Sequence, residues 1–283
     1  MAADYFQNEA AGNGGDHGHG VEVSLTFLGT GTSVGVPVIG CDCRVCRSEN
    51  PKNKRLRSSV LVRAGATTVL VDSGTDLRAQ ALREGLREVD AVIYTHAHLD
   101  HVAGFDELRA FCWRRSSPLP MHATASCMET LKKMFGWAFE PDNVHKGYIK
   151  PGPCVIDGEF RIGGLTITPL PVEHGSLETI GFLFRHPGAK SAAYLPDVKR
   201  IPDATLKLLG GVDVLVIDAL RSSPHPTHFC VADAMEAAEA CGAGETWLTH
   251  LGHENDHAEL EKSLPETVRV AWDGLKLPLA GLA

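Results

Sequence analysis

The chain has 283 residues, of which 43% are hydrophobic and 22% are charged, a composition typical of globular proteins. Its 27 basic and 35 acidic residues give a formal net charge of −8, which argues against a broad electrostatic surface for nucleic acid. No apolar run approaches the ~18 residues that a membrane span needs. The first twenty residues carry neither a secretory signal nor an Arg-rich transit peptide. We therefore expect a cytoplasmic protein without a membrane or nucleic-acid partner.

Composition also divides the chain into two parts. Residues 1–20 are polar and glycine-rich, so we predict a disordered N-terminal tail. Residues 21–283 are predicted to form a single domain. Eight cysteines in a chain without an export signal indicate a reduced compartment and not a disulfide framework. The sequence is compatible with a homodimer.

The predicted elements mix strands and helices at irregular spacing. A β-branched strand over 21–30 comes first, and a hairpin of 58–63 and 67–74 follows it. A helix is predicted over 75–85, a buried strand over 90–95 and a helical segment over 105–115. Further strands are predicted over 164–175, 179–185, 191–197, 212–220 and 245–250, with a helix over 231–242. This pattern, without a fixed repeat, indicates α and β layers in one domain.

Histidine or aspartate stands where several of these apolar strands end. The segments THAHLDH, VEHG, YLPD and LTH all show this arrangement. Layered α/β folds build their sites at strand ends and in the loops that follow. Four such ends meeting at one edge would make a polar cluster on an otherwise apolar sandwich.

The densest of these segments offers four metal-binding side chains within six positions. His96 and His98 fall on one face if the chain stays extended after the strand. Asp100 and His101 follow, on the turn into a helix expected to start near Val102. Neutral imidazole and carboxylate suit zinc, manganese or iron. The spacing therefore predicts that each pair binds one of two metal ions.

Two ions need more ligands than this segment supplies. His174, Asp197 and His250 are the candidates, each at a strand end. A carboxylate commonly bridges two cations about 3.5–4 Å apart, and we expect Asp197 to be that bridge. Asp72, also at a strand end, is predicted to orient a ligand histidine, since metal-bound imidazoles usually donate their other N–H to such a group.

A second cluster has the pattern Cys-x-Cys-x-x-Cys at Cys41, Cys43 and Cys46. A structural zinc site takes four ligands and leaves no position open, so a fourth ligand must come from elsewhere. His253, three residues after His250, is a candidate. Buried or redox-active thiols remain the alternative. The other five cysteines lack this spacing and are predicted to be small core residues.

His225 and His228 flank Pro226 just before the predicted helix at 231. Beside a metal pair, one of these histidines could act as a general acid that protonates a leaving alkoxide. Either could instead be a simple loop or cap residue.

Taken in order, FLGTGTS, LVDSGTDLR, YTHAHLDH, LPVEHG, YLPD and LTHLGH resemble the metallo-β-lactamase superfamily over nearly all of residues 21–257. Within it the chain is most similar to the PhnP-type phosphodiesterases, which act on phosphoribosyl 1,2-cyclic phosphate, and more distantly to the tRNA 3′-processing endonucleases. The resemblance implies a four-layered αββα sandwich. It also implies one metal on His96, His98, His174 and Asp197, a second on Asp100, His101, Asp197 and His250, and a structural zinc on Cys41, Cys43, Cys46 and His253.

The resemblance places His228 at the position of the family's proposed general acid. We therefore expect a metal-dependent phosphoric diester hydrolase whose substrate is a small phosphodiester, either open or cyclic. A hydroxide that bridges two zinc or manganese ions would attack the phosphorus. Asp100 and His228 are the candidate catalytic residues. The chain departs from the endonucleases because it is acidic and lacks a long arm for gripping tRNA. Two alternatives remain: a lactonase or thioesterase with the same metals, and a metal-binding carrier protein without turnover.

Overall fold

The computed structural model describes residues 21–280, so the predicted tail at 1–20 lies outside the described residues. The strands are β1 Val23–Gly29, β2 Ser59–Ala64, β3 Thr67–Val71, β4 Ala91–Ile93, β5 Leu119–Ala123, β6 Pro151–Val155, β7 Phe160–Ile162, β8 Leu165–His174, β9 Leu177–Arg185, β10 Ala192–Leu195, β11 Val214–Asp218, β12 Glu245–Thr249, β13 Val268–Val270 and β14 Lys276–Ala280. The helices are α1 Arg44–Arg47, α2 Leu77–Arg83, α3 Leu99–Val102, α4 Arg109–Cys112, α5 Ala125–Met134, α6 Gly136–Phe139, α7 Asp203–Leu209, α8 Val231–Cys241 and α9 His257–Ser263. Short 3₁₀ helices cover Pro51–Asn53 and Phe105–Leu108.

The described strands form two seven-stranded sheets. The first has the order β14-β1-β2-β3-β4-β5-β6, and the second has the order β13-β12-β11-β10-β9-β8-β7. Strands β3 to β6 run parallel to one another, as do β10 to β13. Each sheet is therefore mixed, with a parallel half that places the carboxyl ends of several strands at one edge.

Three apolar layers hold the sheets and helices together. Phe27, Phe182 and Trp247 pack between the two sheets. A second layer packs α2 to α6 on the first sheet, and a third packs α7 to α9 on the second. Strands such as β11, buried along its whole length, are covered on both faces, which is why they read as continuous apolar runs. The result is the four-layered αββα sandwich that the sequence predicted, in a single domain.

Several element predictions need correction. The helix expected near Val102 begins at Leu99, so Asp100 and His101 lie within its single turn. The helical segment predicted over 105–115 is a 3₁₀ turn followed by α4, and α4 ends at Cys112. Of the five cysteines predicted to be core residues, Cys154 is only half-buried. The described chain has no helix with both the length and the apolar character needed to cross a membrane.

Candidate active site

Five strand ends meet at one edge of the sandwich. From the first sheet, β3 leads into Asp72 and β4 leads into the segment of His96. From the second sheet, β10 leads into Asp197, β11 ends at Asp218 and β12 leads into His250. Because these strands are parallel within each sheet, their carboxyl ends are brought to a common edge, where layered α/β folds place their sites.

One group of possible ligand atoms comes from His96, His98, His174 and Asp197 and lies within 4.8 Å. His98 Nδ1 lies 2.8 Å from His96 Nε2 and 3.3 Å from His174 Nε2. Asp197 Oδ2 lies 3.8 Å from His96 Nε2 and 3.6 Å from His174 Nε2. Tetrahedral Zn–N bonds would separate neighbouring ligand atoms by roughly 3.3 Å, so these spacings suit a metal ion.

A second group, from Asp100, His101, Asp197 and His250, also lies within 4.8 Å. His101 Nε2 is 3.2 Å from both Asp100 Oδ2 and Asp197 Oδ1, and His250 Nδ1 is 3.3 Å from Asp197 Oδ1. Asp197 thus turns one carboxylate oxygen toward each group. This is the placement that a bridging ligand requires.

The electrostatics of these groups favour a cation. Burial, reinforced by the neighbouring His101, holds the pKa of His96 well below its usual range, which keeps the imidazole in its neutral ligand form. Burial would raise the pKa of Asp197, but the imidazoles of His250 and His101 hold it well below its usual range. Burial also opposes charge on His101, yet Asp197, Asp100 and Asp72 raise its pKa well above normal. A field that draws a proton to His101 would equally attract a metal cation.

Among the described residues of these two ligand groups, two buried polar atoms lack hydrogen-bond partners. They are His101 Nε2 and Asp197 Oδ1. Buried polar atoms without partners are costly and rare in native proteins. The two atoms face each other across 3.2 Å within the second group. A metal ligated by both would remove this cost, and the residues present therefore fit the metal pair that the fold implies.

Asp72 lies behind the second group. It accepts hydrogen bonds from the Thr95 amide at 2.9 Å and from the Thr95 hydroxyl at 2.9 Å. His101 Nδ1 lies 2.8 Å from Asp72 Oδ2, which places a proton on Nδ1 and leaves Nε2 free to face the cluster. Asp72 has a left-handed φ of 63°, a conformation that costs energy in a non-glycine residue. The Thr95 and His101 contacts offset that cost.

His228 lies over both groups and has a partner that the sequence analysis missed. Its ring stacks on His250 with a centroid distance of 4.8 Å and meets His174 edge-on at 4.5 Å. His228 Nδ1 is 2.7 Å from Asp218 Oδ2, which also accepts from the Val198 amide at 3.0 Å. Burial raises the pKa of Asp218 to about 7 despite the hydrogen bond. Asp218 stands at a strand end like the other site residues, and that signal could have identified it.

Asp218 also controls the charge of His228. Burial alone would lower the pKa of His228, but the hydrogen bond and negative charge of Asp218 raise it above the usual histidine value. With Nδ1 engaged, Nε2 is the atom available to the cavity. His225, the other histidine of this loop, lies with its ring centroid 5.2 Å from that of His228.

These residues open onto a cavity of about 530 Å³. Its lining residues are Ser33, His98, Leu99, Asp100, His174, Gly175, Ser176, Leu177, Asp197, Thr227, His228 and His250. Another cavity, of about 600 Å³, lies between α8 and the residues around β13. It contains none of the histidine–carboxylate groups, so the chemistry belongs to the smaller cavity.

The cysteine cluster forms beside this edge. His253 Nδ1 lies 3.2 Å from Cys41 Sγ, 3.6 Å from Cys43 Sγ and 3.5 Å from Cys46 Sγ. Zn–S and Zn–N bonds in a tetrahedral site would separate sulfur from nitrogen by roughly 3.6 Å, so the four side chains fit a closed zinc site. The backbone N–H of Cys46 lowers the pKa of Cys43 to about 6, toward the thiolate form, while burial raises the pKa of Cys46 to about 11.

Fold and site together define a hydrolase of the metallo-β-lactamase fold. The family model described as "Beta-lactamase superfamily domain" matches residues 67–251, and the chain belongs to that superfamily. The crystal structure of a diphosphatase from the PhnP family superposes with a TM-score of 0.84 at 39% identity, covering 91% of this chain and 97% of that one. The resemblance to the superfamily and to its PhnP branch is therefore confirmed.

Curated relatives carry more varied names. An octanoyltransferase from Porphyromonas gingivalis is 35% identical over 255 residues, which cover 88% of this chain and 50% of that protein. A ribonuclease Z from Bradyrhizobium diazoefficiens is 30% identical over 214 residues, covering 71% of this chain and 64% of that protein. This chain therefore matches half to two-thirds of the length of these two relatives.

Proposed function

We propose that the protein is a binuclear metal-dependent hydrolase of small phosphodiesters. The observation that carries this proposal is the pair of ligand groups that share Asp197. When bound there, two zinc or manganese ions would lower the pKa of water and neutralise phosphate charge. The first ion would be held by His96, His98, His174 and Asp197, and the second by Asp100, His101, Asp197 and His250.

The chain's own residues supply the proton that the leaving group needs. With Nδ1 bonded to Asp218, His228 holds its second proton on Nε2, at the cavity, where it can pass to the leaving oxygen. General acid catalysis of this kind typically contributes about 10²–10⁴-fold in rate. Such an acid benefits a phosphodiester with a poor leaving group more than a lactone or thioester. The pair His228 and Asp218 therefore favours the phosphodiesterase over those alternatives. Asp100 would take part in catalysis as a ligand of the second ion, close to the reacting phosphate.

A small substrate is supported by the cavity of about 530 Å³ and by the net charge of −8, which disfavours a long polyanion. The diphosphatase name of the PhnP-family structure points to phosphorus chemistry. The octanoyltransferase name belongs to a protein of which this chain matches only half, and no acyl-carrying group is evident at the described site. A third ion, a structural zinc on Cys41, Cys43, Cys46 and His253, is part of the proposal.

The test combines metal analysis with a substrate panel. We expect three metal ions per purified chain and hydrolysis of bis(p-nitrophenyl) phosphate that exceeds hydrolysis of a lactone or a thioester. His228→Ala should lower kcat/KM by roughly 10²–10⁴-fold on an alkyl phosphodiester and by less on a nitrophenyl ester, whose leaving group needs little help. His145→Ala, a histidine of the 140–150 loop, is the matched control. Turnover of the lactone alone would overturn the proposal, and bound metals without turnover of any ester would favour the carrier alternative.

A further inference from the structure

Two exposed leucines lie among the lining residues of the cavity that holds both ligand groups. Leu99 is 62% exposed and Leu177 is 37% exposed, and both line this cavity of about 530 Å³. The ligand residues His174, Asp197 and His250 in the same lining are buried. The cavity therefore has a buried polar floor and, nearer to solvent, two apolar side chains that we call the leucine rim.

Leu99 is held in place by its neighbours in the chain. It is the first residue of α3 and stands between the candidate ligands His98 and Asp100. The Ser73 amide donates to the His101 carbonyl at 2.7 Å, which fixes this single helical turn against the loop after β3. The backbone of Leu99 cannot shift without moving the candidate ligands on either side. A fixed backbone therefore presents the exposed side chain to the cavity.

Leu177 is fixed in a similar way on the second sheet. It is the first residue of β9 and pairs with His174, the last residue of β8. The Thr179 hydroxyl donates to the Leu177 carbonyl at 3.2 Å. The Ile180 amide donates to the Thr95 carbonyl at 3.1 Å, which ties β9 to the chain after β4. The position of Leu177 is therefore set by contacts with both sheets.

The two leucines flank the same pair of candidate ligands. Leu99 follows His98 in the chain, and Leu177 lies opposite His174 in the hairpin of β8 and β9. His98 Nδ1 lies 3.3 Å from His174 Nε2. An organic substituent of a phosphoryl group bound at these ligands would therefore lie next to the leucine rim. Covering an exposed leucine with an apolar substituent is favourable in proportion to the apolar area removed from water.

The rest of the lining offers little to a charged substituent. The described lining residues include no lysine or arginine. Apart from the candidate ligands, His228 and the leucine rim, they are uncharged: Ser33, Gly175, Ser176 and Thr227. A second anionic group of a substrate would lose hydration here without meeting a cationic side chain other than His228, and that loss costs free energy. The lining therefore favours an uncharged apolar substituent.

We infer that Leu99 and Leu177 make the protein selective for phosphodiesters in which an uncharged apolar group, such as an aryl ring or a short alkyl chain, is esterified to the phosphate. The inference rests on the proposed phosphodiesterase function and narrows its substrate class. Single exposed leucines are ordinary on protein surfaces, but these two share a cavity with the ligand groups. The leucines take no part in making or breaking bonds, so their effect is expected on binding and KM and not on kcat.

The test measures binding of three phosphonates, which present the same phosphoryl head on a carbon–phosphorus bond and so report binding without hydrolysis. Calorimetry is performed on the metal-loaded protein with phenylphosphonate, methylphosphonate and 3-phosphonopropionate. We expect phenylphosphonate to bind about tenfold more tightly than methylphosphonate, which corresponds to covering roughly 55 Å² of apolar surface. The second anion of 3-phosphonopropionate should give no gain over methylphosphonate.

Substitutions at Leu177 separate the leucine rim from general damage to the fold. Leu177→Ser should weaken phenylphosphonate binding by about fivefold and change methylphosphonate binding by less than about twofold, because only the larger substituent covers the leucine. Leu177→Met keeps an apolar side chain and should restore phenylphosphonate binding. Leu208→Ser, at a leucine of α7 that is 42% exposed outside this cavity, is the matched control.

Kinetics provide a second readout on the same variants. Leu177→Ser should raise KM for bis(p-nitrophenyl) phosphate by about fivefold and leave kcat within about twofold, because the leucine contributes apolar contact to binding and no group to the reaction. Leu99→Ala should act in the same direction, and its metal content is measured in parallel because candidate ligands stand on both sides of Leu99.

The outcomes keep the two proposals apart. If wild-type protein hydrolyses bis(p-nitrophenyl) phosphate but binds phenylphosphonate no more tightly than methylphosphonate, or prefers 3-phosphonopropionate, the leucine rim is wrong and the phosphodiesterase stands. Equal losses in Leu177→Ser and Leu208→Ser would also overturn the leucine rim. If wild-type protein prefers phenylphosphonate but hydrolyses no phosphorus ester, the proposed function fails and the leucine rim remains as a binding feature. Selective loss of phenylphosphonate binding in an active phosphodiesterase supports both.

Discussion

The histidine–carboxylate cluster and the cysteine cluster are assembled in opposite ways. The first draws its candidate ligands from residues 96 to 250, which stand at or just after the ends of four strands, β4, β8, β10 and β12. The second takes three of its four ligands from the loop at 41–46 and only His253 from far along the chain. The histidine–carboxylate cluster depends on the packing of both sheets, whereas the cysteine cluster depends on a local spacing of cysteines.

The two clusters nevertheless share a short segment. His250 belongs to the first and His253 to the second, and between them Leu251 exchanges backbone hydrogen bonds with the loop after β1. The Leu251 amide donates to the Thr30 carbonyl at 2.9 Å, and the Thr32 amide donates to the Leu251 carbonyl at 3.3 Å. Through this segment the cysteine loop can support the candidate active site without contributing a ligand to it.

The largest effect is expected at the residue that joins the two ligand groups. Asp197→Asn should remove both active-site ions and leave the cysteine site filled, so that metal content falls from three ions to one. Losing the ions forfeits several kcal/mol of transition-state stabilisation, roughly 10³-fold or more in kcat/KM. Inductively coupled plasma mass spectrometry and phosphodiester assays measure both quantities. Asp203→Asn, on α7, is the control, and a variant that keeps three ions would argue against a shared carboxylate.

The next effect concerns Asp218, which holds His228, the proposed proton donor. His228 can donate only while protonated, so the rate on a poor leaving group should fall as pH rises through its pKa. Asp218 raises that pKa, and Asp218→Asn should therefore move the fall to lower pH and reduce kcat/KM by roughly tenfold or more. The pH profile of an alkyl phosphodiester measures this. Asp213→Asn, just before the other end of β11, should leave the profile in place. An unchanged profile in Asp218→Asn would remove His228 from the proton-donor role.

The sequence predicted the parts of the fold that have strong local patterns. The buried strands β4, β10 and β12 are short apolar runs in the sequence, and their ends led to His96, Asp197 and His250. The cysteine spacing was equally local. The histidine–carboxylate cluster could be proposed because its residues stand where apolar runs end, and the cysteine cluster because of its Cys-x-Cys-x-x-Cys spacing.

Other parts of the fold and of the candidate site lack a local sequence pattern of this kind. Strand β6 has the sequence PGPCV, and its two prolines suit only an edge strand. Strand β13 has three residues and helix α3 has four, too few for a period to be recognised. Asp218 does stand at a strand end, but its role was missed because His228 and Val198 reach it only in the folded chain. The cavity likewise arises from tertiary packing.

A smaller effect is expected at Asp72, which touches only the second ligand group. Asp72→Asn weakens the acceptor that holds His101 Nδ1, and changes of this kind typically cost about 10–100-fold in metal affinity. We expect the ion held by Asp100, His101 and His250 to become easier to remove by a chelator, while the first ion is retained longer. Titration with a competing chelator, followed by metal analysis, measures the difference. Equal loss of both ions would show that Asp72 does not act selectively through His101.

The smallest effect on activity is expected at the cysteine loop. Cys41→Ser should remove one ion of three and lower the stability of the loop, with a fall in Tm of about 2–4 °C for each kcal/mol lost in a domain of this size. Cys154→Ser is the matched control, because Cys154 is half-buried and its thiol bonds only to the Gly152 carbonyl.

If the cysteine loop supports the active site only through Leu251, phosphodiester hydrolysis by Cys41→Ser should fall by less than about tenfold, the lower range of effects seen for groups that act on a site through others. Both active-site ions should remain. Loss of those ions together with the zinc would mean that the two clusters form one cooperative unit, because His250 could not then keep its place without His253. Retention of all three ions would instead show that Cys41 is not a ligand.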